Sequence, residues 1–163
     1  MLAVISALLL GFLSGAGLFV ALVAVPFWRE LPASEFRLWF AANWHRVAWL
    51  MVPLGGGATL ASVAAWIVGH RSPRARRFWL AAAAAASLGA TAVTLLVNEP
   101  ANQLFGSTRV LADSETTALL ARWSAWHWAR EALAAGGFYA ALRALSAPGN
   151  APDDMSPRSG KTS

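Results

Sequence analysis

Hydrophobic residues fall in long uninterrupted blocks along the chain. Residues 2–25 contain 24 residues without a charged side chain, residues 47–69 contain 23, and residues 79–97 contain 19. A helix that crosses a bilayer needs about 20 such residues. A fourth segment, residues 123–145, has the length of a span but is more polar. The pattern therefore predicts an all-α integral membrane four-helix bundle with spans at about these four positions.

The other segments complete one four-span transmembrane domain over residues 1–146. Residues 27–46 mix aromatic and charged side chains, which is typical of a short interfacial helix after the first span. Residues 115–146 read as one helix of about 48 Å, longer than the roughly 30 Å hydrocarbon core, so its first turns are expected to protrude. Residues 147–163 are rich in Pro, Ser, Gly and Asp, which predicts a disordered cytoplasmic tail.

Small and aromatic residues predict how the spans pack and where they end. Gly11 and Gly15 form a GxxxG pair in the first span, a spacing that lets helix backbones approach closely in lipid. Tryptophans near the predicted outer ends of the spans are typical of an aromatic belt at the membrane–water interface. These tryptophans are Trp28, Trp39, Trp44, Trp49, Trp123, Trp126 and Trp128.

Composition and charge agree with a membrane protein and set its orientation. The chain is 57% hydrophobic and 13% charged, whereas soluble domains are roughly 25% charged. The entire net charge of +5 lies on one side, which includes residues 70–77 with four arginines and no acid. The positive-inside rule places this side and both termini in the cytoplasm, here of a bacterial inner membrane. Because membrane topology already explains the positive charge, the charge is not evidence for a nucleic-acid partner, and none is expected. The sequence contains no cysteine, which excludes thiolate chemistry.

Polar residues gather near the outer end of the fourth predicted span. Trp123, His127 and Arg130 are spaced i, i+4, i+7 and share one helical face. A charge deep in a span costs about 2.5–3.5 kcal/mol and is usually paired or functional. Polar residues that flank the second and third spans are expected at the same depth, which predicts one outward-opening pocket. Its predicted lining residues are His45, Asn98, Asn102, Trp123, His127 and Arg130.

Several of these residues also have a purely structural interpretation. Asn98 with Pro100 would cap a short helix. His45 and the neighbouring Arg46 would simply be polar residues at the membrane interface. Arg130 and Glu131 would form an ion pair that holds the bundle together. His127 is the residue least easily assigned a structural role, and Glu131, four residues later, is placed to orient its imidazole.

Two short motifs resemble those of a known family. Residues 98–104, NEPANQL, resemble an N-x-P-x-N-x-x-L motif. Trp123, His127 and Arg130 resemble a W-x-x-x-H-x-x-R motif about twenty residues later. In a small four-span protein this pair of motifs resembles the anthrone oxygenase family, and the resemblance covers most of residues 10–145.

The resemblance implies a membrane monooxygenase that oxidises an anthrone, or a similar electron-rich phenol, to a quinone with dioxygen. It implies no dedicated cofactor. His127 would be the base, with His45 or Glu131 assisting, and Arg130 would stabilise the anion. The residues that would hold the flat aromatic substrate are Asn98, Asn102 and Trp123.

Two other classes of function stay open at this point. In a metal- or haem-binding membrane redox protein, His45 and His127 would ligate haem, or would hold copper or iron with Glu99 or Glu131. A non-enzymatic accessory subunit, small transporter or assembly factor is the third class. A transporter is expected to place polar groups near the midplane, whereas here they concentrate in the outer third. The sequence leaves the substrate, any metal and the oligomeric state open.

Overall fold

The computed structural model describes residues 1–147, which fold into helices without any strand. Two π-helical segments, Val20–Ala24 and Thr94–Asn98, each continue one helix directly into the next. The predicted tail beyond residue 147 lies outside the described residues. The helices are α1 (Leu2–Phe19), α2 (Val25–Glu30), α3 (Ala33–Val68), α4 (Arg74–Val93), α5 (Glu99–Gly106) and α6 (Asp113–Ser146).

The six helices and the segments that join them form four long continuous helical rods. The predicted all-α four-helix architecture is confirmed. Three rods are long and apolar enough to cross a bilayer: Leu2–Glu30, Ala33–Arg71 and Arg74–Gly106. The fourth rod is α6, whose 34 residues have ample length but carry charged side chains in the middle. Its crossing of the bilayer stays a prediction, as do the orientation and the position of the termini.

The rods pack in chain order around the bundle axis. α1 packs against α3 and α6, and α4 packs against the same two helices from the other side. The middle of the core is built mainly from alanines of all four rods, with Leu10 among them. Small side chains let the helices approach closely there. The four helices are therefore able to pack closely at this level.

One end of the bundle holds a cluster of large side chains, which we call the aromatic cap. Trp28 and Trp123 meet there nearly edge to face, with ring centroids 5.6 Å apart. Both are buried, so the prediction that they belong to an interfacial belt is wrong for these two, whereas Trp49 and Trp126 are exposed. The cap consists of Val20, Val25, Trp28, Phe36, Phe40, Ala101, Phe105, Leu120 and Trp123.

The segment predicted as a separate interfacial helix has a different structure. Residues 33–46 form the first turns of α3, which begins after Pro32 and runs on without a break to Val68. Phe36 and Phe40, one turn apart, are buried in the aromatic cap. Burial of these aromatic rings keeps the segment helical and in line with the span. At 1.5 Å per residue, the 36 residues of α3 extend about 54 Å, well beyond the thickness of the hydrocarbon core.

The glycines of α1 differ in what surrounds them. A Cβ on Gly11 would lie 3.1 Å from a ring carbon of Phe138, whereas a Cβ on Gly15 would meet nothing within 4 Å. The predicted close packing therefore applies to Gly11 and not to Gly15. Gly17 lies against the side chain of Glu131 on α6, where a Cβ would overlap the carboxylate.

Candidate functional site

A cavity of about 290 Å³ lies inside the bundle and borders the aromatic cap. All four rods contribute to its wall, and exposed Val52 on α3 and exposed Leu95 on the π-helical segment after α4 mark its edge. The cavity thus reaches the outer surface of the bundle between the second and third rods. Its aromatic wall residues are Trp28, Trp39, Phe40, Trp44 and Trp123. Its polar wall residues are Thr91, Thr94, Glu99, Asn102, Arg130 and Glu131.

The side chain of His127 is held by hydrogen bonds at both ring nitrogens. Arg130 Nη2 lies 2.6 Å from His127 Nδ1, and His127 Nε2 lies 3.0 Å from the carbonyl oxygen of Gly17. Because a guanidinium group only donates, Nδ1 must accept and Nε2 must carry the proton that it donates to Gly17. His127 is therefore a neutral imidazole with its acceptor nitrogen occupied. Its ring stacks on Trp123 with centroids 4.9 Å apart.

Arg130 connects this histidine to the third rod. Its Nη1 lies 3.4 Å from the hydroxyl oxygen of Thr94, which itself donates to the carbonyl of Ala90 at 2.9 Å. The guanidinium group thus lies between α6 and the π-helical segment, and it forms part of the cavity wall. Two separate partners fix the direction in which it faces.

Glu131 is anchored by the neighbouring helix α1. Ser14 donates a hydrogen bond of 2.6 Å to Glu131 Oε1. Oε2 lies against Gly17, in the space that a side chain at that position would fill. Glu131 also belongs to the cavity wall. The predicted hydrogen bond from Glu131 to the imidazole of His127 is not formed, because the carboxylate faces α1.

A second group of polar side chains surrounds Trp123 at the cap. Its indole Nε1 donates to Asn102 Oδ1 at 2.8 Å, and Asn102 Nδ2 donates to Glu99 Oε2 at 3.1 Å. Asn98 is completely buried, and its Nδ2 donates to the backbone carbonyl of Trp123 at 3.2 Å. Both asparagines of the first motif therefore contact the tryptophan of the second motif.

The π-helical segments lie at the level of these polar contacts. The first begins at Val20, three residues after Gly17, and the second begins at Thr94. Each is followed by a proline, Pro26 or Pro100, two residues after its end. Proline lacks an N–H and clashes with the carbonyl four residues earlier, so a regular α-helix is interrupted there. π turns of this kind occur frequently at functional sites.

The structure brings half of the predicted site residues to the cavity. Asn102, Trp123 and Arg130 line it. His127 and Asn98 lie behind the wall, where both are fully buried and bond other elements of the bundle. The exposed side chain of His45 projects from the surface of α3, outside the lining.

Sequence reasoning missed the partners that the first and third rods contribute. Ser14 and Gly17 contact the side chains of Glu131 and His127, and Thr94 contacts Arg130. A signal was available, because Ser14 and Thr94 are among the few hydroxyl residues inside otherwise apolar runs. Within residues 1–147 no group of three or more His, Asp and Glu side chains is placed to hold a metal ion.

Comparison with known families agrees with these motifs. The family model described as anthrone oxygenase matches residues 36–140, more than half of the chain. The chain belongs to the anthrone oxygenase family. No curated protein and no solved structure gives a match to it. In this anthrone oxygenase family member the matched region includes Asn102, Trp123, Arg130 and Glu131, whereas Ser14 and Gly17 precede it.

In this anthrone oxygenase family member, replacing Asn102 with leucine is expected to lower the melting temperature. The change removes the acceptor of the Trp123 indole N–H, and an unpaired buried donor costs about 1–3 kcal/mol. Gln103→Leu is the matched control, since exposed Gln103 makes only a 3.5 Å contact with Glu99. Thermal unfolding of both variants in one detergent checks this. Equal melting temperatures for the two variants would contradict a supporting role for the Asn102 contact.

Proposed function

We propose that this protein is a membrane oxygenase that oxidises an anthrone-like phenolic compound to a quinone with dioxygen. Family membership supports the reaction class. The observation that carries the proposal is that Arg130 and Glu131 both line one largely apolar cavity. A carboxylate can take a proton from an acidic C–H group, and a cation can stabilise the anion that is left.

The reaction converts a methylene group between two aromatic rings into a carbonyl. Loss of one proton gives a delocalised anion, which transfers one electron to dioxygen. The two resulting radicals combine through a new C–O bond to give a peroxide anion, which takes up a proton. Cleavage of the O–O bond with loss of the second C–H proton releases water and leaves the quinone. One anthrone and one dioxygen thus give one quinone and one water, without an external reductant.

We assign the first proton transfer to Glu131. The motif implies His127 as the base, and that role stays a prediction, but the hydrogen bonds favour the carboxylate. His127 Nδ1 already accepts from Arg130, and its Nε2 already donates to Gly17. Glu131 lines the cavity, and among residues 1–147 only Ser14 donates a hydrogen bond to it, at Oε1. Its Oε2 is the atom that accepts the proton in this proposal.

Arg130 stabilises the negative charge that develops on the substrate and then on the peroxide. Donors that are already oriented toward a developing charge are the largest single contribution in many enzymes. The contacts of Arg130 with His127 and Thr94 support such a fixed orientation. In this assignment His127 positions Arg130 and touches neither the substrate nor dioxygen.

The aromatic wall suits a flat substrate. Trp28, Trp39 and Trp123 offer ring faces and edges for stacking, and Asn102 and Glu99 supply polar contacts for substrate hydroxyl groups. A volume of about 290 Å³ is at the small end of ligand pockets, which span roughly 300–1,000 Å³. This small cavity volume favours a compact tricyclic substrate. Such a compound dissolves in lipid, and the edge of the cavity between the second and third rods gives it a lateral route.

The test is quinone formation from anthrone under air by the protein in lipid nanodiscs, with empty nanodiscs measuring spontaneous oxidation. We expect a rate well above the empty control, with one dioxygen consumed per quinone formed. Oxygen uptake is followed with an electrode and quinone by its absorbance. A rate equal to that of empty nanodiscs would overturn the proposal for this substrate class.

Filling the cavity tests whether the reaction takes place there. Gly56 lines the cavity and has open space around its Cβ position, so Gly56→Phe is expected to fold. We expect kcat/KM to fall about tenfold, which corresponds to about 1.4 kcal/mol. Gly136→Phe is the matched control, because Gly136 is equally open but lies outside the cavity lining. The same loss in both variants would argue against this cavity as the site.

A further inference from the structure

A second recess lies at the end of the bundle opposite the aromatic cap, where α3 ends and α4 begins. It is an open groove of about 660 Å³. One part of its lining is apolar and another part is basic. The residues that define it are Trp66, Ile67, His70, Arg74, Arg77 and Phe78, and we call it the basic groove.

The apolar part of the basic groove consists of large side chains that the bundle leaves uncovered. Trp66, Ile67 and Phe78 are 44%, 59% and 62% exposed. They come from the last turns of α3 and the first turns of α4. A hydrocarbon chain placed along them would cover surface that no other described part of the protein covers.

The basic part lies at the start of α4. Arg74 is the first residue of this helix, and Arg77 lies one turn on. The first turn contains no carboxylate, although the N-terminus of a helix carries a partial positive charge that favours anions. Within residues 1–147 every carboxylate lies at the aromatic end or beside the cavity. Among residues 1–147 no acid lies near these positive side chains at the positive helix end, and this arrangement favours the binding of an anion.

We propose that the basic groove binds an anionic phospholipid, with its phosphate at Arg74, Arg77 and the first turn of α4, and an acyl chain along Trp66, Ile67 and Phe78. The positive-inside rule explains the sign of the charge at this end. It does not explain why two arginines border an apolar groove of this size. A phospholipid has a charged headgroup at one end and acyl chains at the other. These two parts match the basic part and the apolar part of the groove.

The probe for this site is phosphatidylglycerol, with phosphatidylcholine as the zwitterionic comparison. Native mass spectrometry of the protein in detergent is expected to show retained phosphatidylglycerol at concentrations where phosphatidylcholine is lost. The variant R74Q/R77Q is expected to weaken retention at least tenfold. R71Q/R76Q is the matched control, because it removes the same charge from the same end of the bundle but changes no residue of the groove.

Two further measurements distinguish a bound lipid from a bound headgroup and keep the test independent of folding. Phe78→Ala is expected to weaken phosphatidylglycerol retention, whereas Leu88→Ala, a comparably exposed apolar position on α4 outside the groove, is expected to leave it unchanged. Glycerophosphoglycerol, the headgroup without acyl chains, is expected not to compete. Equal losses in R74Q/R77Q and R71Q/R76Q, equal retention of the two lipids, or full competition by the headgroup would overturn the proposal.

Discussion

Replacing Glu131 with glutamine is expected to reduce kcat for anthrone oxidation by about 10²–10⁴-fold, the usual contribution of a general base. Glutamine has the size of glutamate and still offers an oxygen to the hydroxyl of Ser14, so the melting temperature should change little. It cannot accept a proton, so deprotonation of the substrate is lost. The KM should stay close to the wild-type value, because Glu131 acts on the substrate after binding. Single-turnover quinone formation in nanodiscs measures the effect.

The variant that decides between the two candidate bases is His127→Asn. An asparagine oxygen can take the place of Nδ1 and accept the hydrogen bond from Arg130. If His127 only positions Arg130, this variant should lose on the order of tenfold in kcat, about 1.4 kcal/mol. A loss in His127→Asn that equals or exceeds the loss in Glu131→Gln would make His127 the base, as the motif implies, and would overturn the assignment to Glu131.

Gly17→Ala is expected to damage both stability and activity. Its new methyl group would overlap Glu131 Oε2 and displace the carboxylate from its place beside the cavity. Inserting a methyl group into a packed site typically costs about 1–3 kcal/mol, more than the roughly 1 kcal/mol by which alanine favours a helix over glycine. We expect a lower melting temperature and a quinone rate reduced at least tenfold, measured by thermal unfolding and by the anthrone assay.

Gly15→Ala is the control for this effect, because it makes the same chemical change two residues away in α1. A Cβ at Gly15 meets nothing within 4 Å, so helix propensity should keep its melting temperature at or above the wild-type value. Parallel losses in the two variants would show that α1 needs glycine for its own backbone. Wild-type behaviour of Gly17→Ala would mean that the Glu131 carboxylate does not lie against Gly17.

The hydrophobic runs were enough to predict four long helices. Three runs lack charges over a length that spans a bilayer, and few alternatives to a helix exist for such segments. The two motifs were enough to point to Asn102, Trp123 and Arg130, which line the cavity, and to Asn98 and His127, which lie directly behind its wall. These inferences depend on local pattern alone.

The pairing of polar residues between rods could not be predicted in the same way. Periodicity shows which face of α6 carries His127, but not which atom on another helix its ring nitrogens meet. The contact with Gly17 joins residues 110 positions apart, and it depends on the packing order, relative depth and rotation of the rods. An error of one residue in that alignment turns a side chain by about 100°. The roles of His127 and Glu131 depend on this alignment.

The two π-helical segments limit how the chain can change in evolution. A π turn holds one residue more than an α turn, so everything beyond it is rotated by about 100° relative to an uninterrupted helix. Trp28 and Asn102, which both line the cavity, lie beyond such a turn. Deleting one residue from 20–24 or 94–98 would convert the π turn into a regular α turn and leave Trp28 or Asn102 on its present face. A deletion elsewhere in the same rod, between the core contacts and these residues, would instead rotate everything beyond it by about 100°, so these rods can lose a residue only at the π turns without moving the cavity wall.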